Sequence, residues 1–220
     1  MHRPLAFFVL AAVSISTATA ADTQAYTWKN VVTGGGGGFI PDIIFNPSEK
    51  GLAYARADIG GAYKLNSDDS WTPLLDFAND TTWNYWGVDA IATDPVETNR
   101  LYLATGMYTN SYDPNDGQIM ISDDYGASFA VSKLPFKDGG NMPGRGVGER
   151  LAVDPNSNNI LFFGARSGHG LWKSSDFGGS WTQVTSLPNT GTYEPDPTDT
   201  TGYNSDPMGV AFVTFDSTSG

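Results

Sequence analysis

The sequence predicts an all-β protein built from β-propeller blades, and three observations support that prediction. One unit recurs along the chain: an apolar strand closed by Asn or Asp, a short polar turn, two further strands, and an acidic turn that leads to an aromatic residue. The closing Asn or Asp residues stand at positions 46, 94, 154 and 216, and four short strands at this spacing are typical of propeller blades. No stretch shows the apolar periodicity of a helix. The 26 Gly and 13 Pro among 220 residues favour turns and short strands.

Each copy of the unit predicts its own strands. The first copy comprises Ile43–Pro47, Leu52–Ala55, Ala62–Leu65 and Trp71. The second comprises Ala90–Pro95, Leu101–Ala104, Gln118–Ile121 and Phe129. The third comprises Leu151–Pro155, Ile160–Phe163, Leu171–Ser174 and Trp181. A fourth copy opens at Val210–Asp216. Because propellers close with about four to eight blades, we expect residues 21–220 to form an incomplete propeller that is inactive alone.

The turn between the third and fourth strands carries a recognisable motif. Residues 122–129 and 174–181 read Ser-x-Asp-x-Gly-x-Ser-aromatic, and residues 66–71 carry a shortened form. The motif resembles the Asp-box of sialidase-like and related propellers. Its Asp can accept backbone N–H groups across a tight hairpin, its Gly can adopt positive φ, and its aromatic ring can pack between sheets. We interpret the motif as structural.

Strand direction sorts the loops onto two faces. Antiparallel strands alternate in direction, so the Asp-box turns share one face with the first-to-second turns, here called the Asp-box face. The second-to-third turns and the connections between blades meet on the other, here called the long-loop face. That face receives the irregular segments 56–61, 77–86, 105–117, 136–148, 166–170 and 188–208. Long loops on a rigid scaffold are where binding usually occurs.

Aromatic residues are concentrated on the long-loop face. We predict substrate stacking for Trp83, Tyr85, Trp86, Tyr108 and Tyr112, since flat rings beside acids and amides suit sugar faces. Tyr193 and Tyr203 lie in the same loops. The alternative is that some of these rings only fix long loops to the sheet.

Composition and the N-terminus exclude several classes. Twelve Lys and Arg against 24 Asp and Glu give a net charge of −12, which argues against nucleic-acid and membrane partners. The absence of Cys excludes thiolate metal sites and Cys nucleophiles, and we expect no metal or cofactor. Residues 1–20 have the basic start, apolar run and small-residue cleavage site of a signal peptide, so we expect a secreted protein that begins at Ala21. Asn79 begins an N-glycosylation sequon.

Asp58 is the strongest catalytic candidate among the acids. It follows a strand of small and aromatic residues, precedes Gly60 and Gly61, and emerges on the long-loop face, whereas most other acids close strands or hairpins. As a base it must stay ionised, for which Arg56 or a backbone amide is suitable support. We expect Glu149 and Arg150 to pair with each other.

Four ordered motifs, at residues 34–39, 53–61, 140–146 and 148–155, resemble the N-terminal domain of glycoside hydrolase family 74, the xyloglucanases. The resemblance covers nearly the whole chain after residue 20. It implies two tandem seven-bladed propellers, an open cleft between them, and hydrolysis of the β-1,4-glucan backbone of xyloglucan with inversion. It assigns the general base to Asp58 and places the general acid in the second propeller, beyond residue 220. It leaves endo and exo action open.

Three other functions remain at this stage. A sialidase shares the Asp-box but needs an arginine cluster, and the chain after residue 20 has only Arg56, Arg100, Arg145, Arg150 and Arg166. A sortilin-like propeller would bind a partner without catalysis. A serine hydrolase would use His169, which lies in an ordinary Gly-His-Gly loop with no nucleophile elbow in the chain.

Overall fold

The computed structural model describes residues 37–190 and 196–218, all within one compact unit. The expected signal segment and Tyr193 lie outside the described residues. The described ranges form three four-stranded antiparallel sheets and one short 3₁₀ helix, Trp83–Trp86, with no α-helix. No helix in these ranges is long and apolar enough to cross a membrane. The predicted all-β architecture of propeller blades is confirmed.

The first sheet consists of β1 (Asp42–Phe45), β2 (Ala53–Arg56), β3 (Ala62–Leu65) and β4 (Trp71–Pro73), paired in chain order. Strand β1 is followed by Asn46, whose side-chain oxygen accepts the N–H groups of Ser48 and Glu49 at 2.9 Å each. This local turn stops the ladder and reverses the chain into β2.

The second sheet consists of β5 (Val88–Thr93), β6 (Leu101–Thr105), β7 (Gln118–Ser122) and β8 (Ala130–Lys133). Strand β6 is buried along its whole length, since both faces of this sheet are covered by neighbouring sheets. The register of β5 against β6 shifts between Val88 and Ala90, so Asp89 lies at a β-bulge.

The third sheet consists of β9 (Leu151–Val153), β10 (Leu161–Gly164), β11 (Leu171–Ser174) and β12 (Thr182–Gln183). The predicted strand at 210–216 has no ladder among the described residues. Its backbone makes single hydrogen bonds, from Val210 to the Ala165 carbonyl at 3.3 Å and from Val213 to the Glu149 carbonyl at 3.0 Å.

Two apolar clusters join the three sheets. Tyr54 and Leu74 of the first sheet pack with Ile91 and Leu103 of the second, and a separate cluster joins the second sheet to the third. The Asp-box rings fill these seams: Phe129 packs against the first cluster, and Trp181 packs against the other. Removal of this apolar surface from water holds the blades side by side.

The Asp-box hairpins have the expected geometry. In the second sheet, the Asp124 carboxylate accepts the Ser128 N–H at 2.8 Å and the Ser122 and Ser128 hydroxyls at 2.7 and 2.6 Å. Asp176 accepts the equivalent bonds in the third sheet. Gly126 and Gly178 have φ values of 89° and 83°. The prediction of a structural turn is therefore confirmed.

The two predicted faces are also present. On the Asp-box face, the Tyr125 N–H donates to the carbonyl of Asn99, in the turn between β5 and β6. On the long-loop face, Gly61 donates to the Trp86 carbonyl at 2.8 Å, and Gly140 donates to the Gly106 carbonyl at 2.8 Å. Loops that are distant in sequence therefore pack together around Asp58.

Candidate active site

Asp58 lies two residues after β2, where the chain turns across the long-loop face. Its backbone N–H donates to the Phe39 carbonyl at 3.0 Å, and the Phe39 N–H donates to its Oδ1 at 2.8 Å. The residue is only 4% exposed. These reciprocal bonds fix both the backbone and one carboxylate oxygen.

Glycine is required where residues 37–39 approach Asp58. A Cβ on Gly38 would lie 2.5 Å from Asp58 Oδ1, and Gly38 has a φ of 113°. A Cβ on Gly60 would lie 2.3 Å from the Gly37 carbonyl oxygen. Gly38 and Gly60 therefore let residues 37–39 approach closely, which brings the Phe39 amide to the carboxylate.

The ionic partner of Asp58 is Arg145. The Arg145 Nε lies 2.8 Å from Asp58 Oδ2. Of the two expected supports for Asp58, the Arg56 guanidinium was wrong, and a backbone amide was right, since the Phe39 N–H donates to the carboxylate. Arg56 instead pairs with Glu149, whose other oxygen accepts the Ile91 N–H at 2.7 Å.

A group of buried ionisable residues lies next to this pair, here called the buried charge cluster: Arg56, Asp89, Asp138, Glu149, Arg150 and Arg166. Asp89 lies 2.7 Å from the Arg166 Nη2 and 3.2 Å from the Arg150 Nε. The expected pairing of Glu149 with Arg150 was therefore wrong. It assumed that sequence neighbours pair, whereas successive side chains at a strand entrance point in different directions.

Burial determines the protonation of the acids in the cluster. Burial would raise the pKa of Asp89, but Arg150 and Arg166 lower it below its usual value. Burial raises the pKa of Glu149 to about 7, against the opposing effect of Arg56. Burial and the neighbouring Asp89 raise the pKa of Asp138 to about 8. The cluster thus contains one firmly ionised acid, Asp89, one acid whose pKa lies near neutral pH, Glu149, and one that favours the protonated form there, Asp138.

Three of the five predicted stacking residues form a connected row. The rings of Trp83 and Tyr108 lie 6.5 Å apart between centroids, and those of Tyr108 and Tyr112 lie 6.2 Å apart. The Tyr108 hydroxyl accepts a hydrogen bond from Asn141 at 2.9 Å. Tyr112 is 67% exposed, so its ring is available to a ligand.

The row continues into an open groove of about 570 Å³, here called the tyrosine groove. Its lining consists of Tyr108, Tyr112, Asn141, Thr201, Tyr203 and Asn204. The Arg145 Nη1 lies 3.5 Å from the Tyr203 hydroxyl. Arg145 therefore contacts both the groove and the Asp58 carboxylate.

The other two predicted stacking residues, Tyr85 and Trp86, are half-buried and pack against the core cluster between the first two sheets. The Trp86 indole donates to the Leu75 carbonyl at 3.1 Å. Tyr85 also lines a second open groove, of about 450 Å³, with Asn84 and Gln118.

Sequence reasoning missed two participants, Arg145 and Phe39. Both fall in motifs that carried the family resemblance, at residues 140–146 and 34–39, but no residue-level signal linked either to Asp58. Only the fold brings them together.

The fold and the site define a class: an Asp-box propeller with an enclosed, ion-paired aspartate and a row of tyrosines on its long-loop face. No family model matches the chain. Single relatives match it strongly. It is 60% identical over 196 residues to a xyloglucanase from Hypocrea jecorina and 61% identical over 203 residues to one from Paenibacillus. These alignments cover 89% and 92% of the chain but only 23% and 20% of the relatives.

A solved structure agrees. The family 74 xyloglucanase from Xanthomonas campestris superposes with a TM-score of 0.75 at 42% identity, covering 84% of this chain and 26% of that one. The chain belongs to glycoside hydrolase family 74, and it spans about a quarter or less of the length of these relatives.

Proposed function

We propose that the chain is the base-bearing part of a secreted glycoside hydrolase that cleaves the β-1,4-glucan backbone of xyloglucan with inversion. The observation that carries the proposal is the setting of Asp58: its carboxylate is held by the Phe39 N–H and by Arg145, and Arg145 also lies 3.5 Å from the Tyr203 hydroxyl of the tyrosine groove. The xyloglucanases that match the chain at about 60% identity support the substrate. The leader-like residues 1–20 support secretion.

Inversion requires two carboxyl groups with different roles. One protonates the leaving oxygen, and the other removes a proton from the attacking water, with roughly 6.5–9.5 Å between them. We assign the second role to Asp58. Each of its oxygens interacts with one donor, and a carboxylate oxygen has two lone-pair sites, so each can still accept a hydrogen bond from water. From the family resemblance, we infer that the acid lies in the second propeller, beyond residue 220.

Binding of the glucan is assigned to the tyrosine groove and its neighbouring rings. Tyr108, Tyr112 and Tyr203 present flat faces and hydroxyl groups, and Asn141 adds an amide. Rings of this kind stack on the apolar faces of pyranose units, while hydroxyls and amides bond to sugar hydroxyls. Trp83 extends the same row. Tyr85 and Trp86 have mainly a packing role in this proposal, since both rings rest on the core.

The arginine positions argue against the sialidase alternative. Recognition of a sialate carboxylate needs guanidinium groups that are exposed and free to pair with it. Among the described residues, Arg56, Arg150 and Arg166 are at most 1% exposed and already face Glu149 or Asp89. Of the remaining two, Arg145 pairs with Asp58. Arg100 lies on the Asp-box face and pairs with Asp94, Glu97 and Asp123.

The test is Asp58→Asn in the full-length protein. The amide keeps the shape of the side chain but cannot take a proton from water, so turnover of xyloglucan should fall by about 10²–10⁴-fold. Binding of xyloglucan should be retained because the stacking surfaces are unchanged. Azide should restore part of the turnover, since it attacks without a base, and the product should be the inverted glycosyl azide.

Asp76→Asn is the matched control, because it makes the same change on an exposed acid in the connection between β4 and β5, on the same face. It should leave turnover unchanged. An Asp58→Asn protein that keeps more than about a tenth of the turnover would show that another residue is the base. Binding without any hydrolysis by the unmodified protein would favour the sortilin-like alternative.

A further inference from the structure

Buried guanidinium groups donate hydrogen bonds to the backbone of the loop that carries Arg145. Arg56 Nη2 donates to the Arg145 carbonyl at 3.0 Å, and Arg166 Nη1 donates to the Pro143 carbonyl at 2.8 Å. Arg56 and Arg166 are themselves fixed by Glu149 and Asp89. Charged side chains that bond to backbone carbonyls on both sides of Gly144 leave this turn little freedom.

Close packing at Gly144 restricts the loop further. Gly144 has a φ of 77°, and a Cβ there would lie 2.1 Å from the Met208 sulfur. The Gly144 backbone therefore packs directly against the Met208 side chain, with no room for a Cβ between them. Buried ion pairs contribute little net stability but can specify a unique arrangement. Here the arrangement that they specify is the position of the Arg145 backbone.

From this fixed backbone, the Arg145 side chain extends to three groups. Its Nε reaches Asp58 Oδ2 at 2.8 Å, its Nη1 approaches the Tyr203 hydroxyl at 3.5 Å, and its guanidinium lies 5.9 Å from the centre of the Phe39 ring. Phe39 is also the residue whose N–H holds Asp58 Oδ1. Arg145 and Phe39 thus each contact one oxygen of the same carboxylate, and the Arg145 guanidinium also lies over the Phe39 ring.

We propose that Arg145 is a positioning residue for the general base, with its guanidinium setting the orientation of the Asp58 carboxylate toward the attacking water. This inference rests on the proposed function of Asp58. A carboxylate held at one oxygen only could rotate about its Cβ–Cγ bond. The second contact, at Oδ2, is an ion pair at 2.8 Å without normal hydrogen-bond geometry, and its attraction restricts that rotation. Misplacement of a reacting group by about 1 Å can cost about 10²-fold in rate.

The first experiment replaces Arg145 by Met and by Lys in the full-length protein. Arg145→Met keeps much of the length of the side chain but removes its charge and its donors. Its kcat on xyloglucan should fall by about 10- to 100-fold, while KM changes by less than about 3-fold. Arg145→Lys should recover part of the loss, since an ammonium can reach the carboxylate but cannot supply the planar fork.

The second experiment tests whether free guanidinium ion can replace the side chain that Arg145→Ala removes. Arg145→Ala should have a low kcat that rises on addition of millimolar guanidinium chloride, because the free ion can occupy the vacated space beside Asp58. The unmodified protein should show no such rise. A variant that is simply misfolded would not respond to a small cation, and its melting temperature would already be lowered. Arg100→Met is the matched control, since it removes three ion pairs on the Asp-box face and should leave kcat unchanged.

A double variant tests whether Arg145 acts through Asp58. If it does, Asp58→Asn with Arg145→Met should be no slower than Asp58→Asn alone. Multiplied losses, an unchanged kcat in Arg145→Met, or an effect on KM alone would each overturn the inference while leaving Asp58 as the base. A fully active Asp58→Asn protein would instead overturn the proposed function, so the two failures are distinguishable.

Discussion

Two kinds of aspartate in this protein differ in where their partners come from. Asp124 and Asp176 bond only to residues two to four positions away, so their bonds stabilise a turn. Hydrogen bonds from Ser128 and Ser122 lower the pKa of Asp124 to about 2. Asp58 is held by Phe39 and Arg145, from two different loops. Hydrogen-bond partners close in sequence indicate an acid that stabilises a turn. Partners from distant loops suit an acid whose exact position is needed for catalysis.

The residue-scale prediction is that Asp176→Ala lowers stability without affecting catalysis. The variant loses the bonds from the Ser180 N–H and from the Ser174 and Ser180 hydroxyls, so the melting temperature should fall by a few degrees. Turnover per folded molecule should stay the same. Ser175→Ala, in the same turn, is the control for surface truncation. Loss of activity at an unchanged melting temperature would contradict the structural assignment of the Asp-box.

At the level of the hairpin, each full Asp-box places two successive residues at positive φ. Tyr125 and Gly126 have φ values of 60° and 89°, and Phe177 and Gly178 have values of 58° and 83°. A bulky residue at positive φ is strained. Neighbouring turns offset that strain: the Phe177 ring lies 4.4 Å from the Arg100 guanidinium carbon. The box therefore also joins two blades.

This geometry predicts that Gly126→Ala is more damaging than the same change at Gly51. Both glycines have φ near 90°, so both variants should lose about 1 kcal/mol or more from backbone strain. A Cβ at Gly51 meets nothing within 4 Å, whereas one at Gly126 lies 2.8 Å from the buried Leu74. The extra contact should add about 1–3 kcal/mol. Denaturant unfolding of the two variants measures the difference in their free energies of unfolding. Equal losses would show that the Leu74 side chain moves aside without cost.

The strands were largely predictable because each carries its own signal. Apolar runs closed by Asn or Asp predicted the first three strands of each sheet to within about two residues, as in β5, where the ladder begins at Val88 rather than Ala90. The fourth strands were marked only by the aromatic residue of the Asp-box turn. The segment at 210–216 has the same composition but no ladder. A strand depends on a partner as well as on its own sequence.

The site was predictable only in part. Position in the topology indicated Asp58, since strand parity determines the face on which a loop emerges. Its partner was not predictable, because Arg56 and Arg145 are equally basic and only the path of the 136–148 loop selects between them. Among the rings, no pattern in the sequence separated exposed Tyr112 from Trp86, whose indole bonds to Leu75.

Across the whole described unit, the blades are joined differently at the two faces. On the Asp-box face the ion pairs of Arg100 stay within one blade, and hydrogen bonds link the blades: the Asn46 amide donates to the Asp94 carbonyl, and the Asn158 amide donates to the Asp94 carboxylate. On the long-loop face the links are the ion pairs of the buried charge cluster. Charge is thus concentrated under the proposed active site, where it makes stability depend on pH.

Asp138 provides the clearest test of how the stability of the protein depends on pH. It is 1% exposed, and neither of its oxygens makes a hydrogen bond of normal geometry within the described residues. Burial, followed by the nearby Asp89, raises its pKa from 3.8 to about 8. Between these values the folded state binds more protons than the unfolded state. By linkage, the free energy of unfolding must therefore fall as pH rises through this window. Glu149, raised from 4.5 to about 7 by burial, acts in the same direction.

We therefore expect the melting temperature to decrease between pH 5 and pH 8, and Asp138→Asn to reduce that decrease. The amide is neutral at every pH, so the stability of the variant relative to the unmodified protein should rise steadily across this range, by up to a few kcal/mol between pH 5 and pH 8 given about 1.4 kcal/mol per pKa unit. The opposing titration of His169, whose pKa is lowered by burial, is common to both proteins and cancels in the comparison. Asp76→Asn, on an exposed acid, should give a curve parallel to that of the unmodified protein. Thermal unfolding of the three proteins across this range provides the measurement, and parallel curves for Asp138→Asn and the unmodified protein would mean that Asp138 is ionised in the fold.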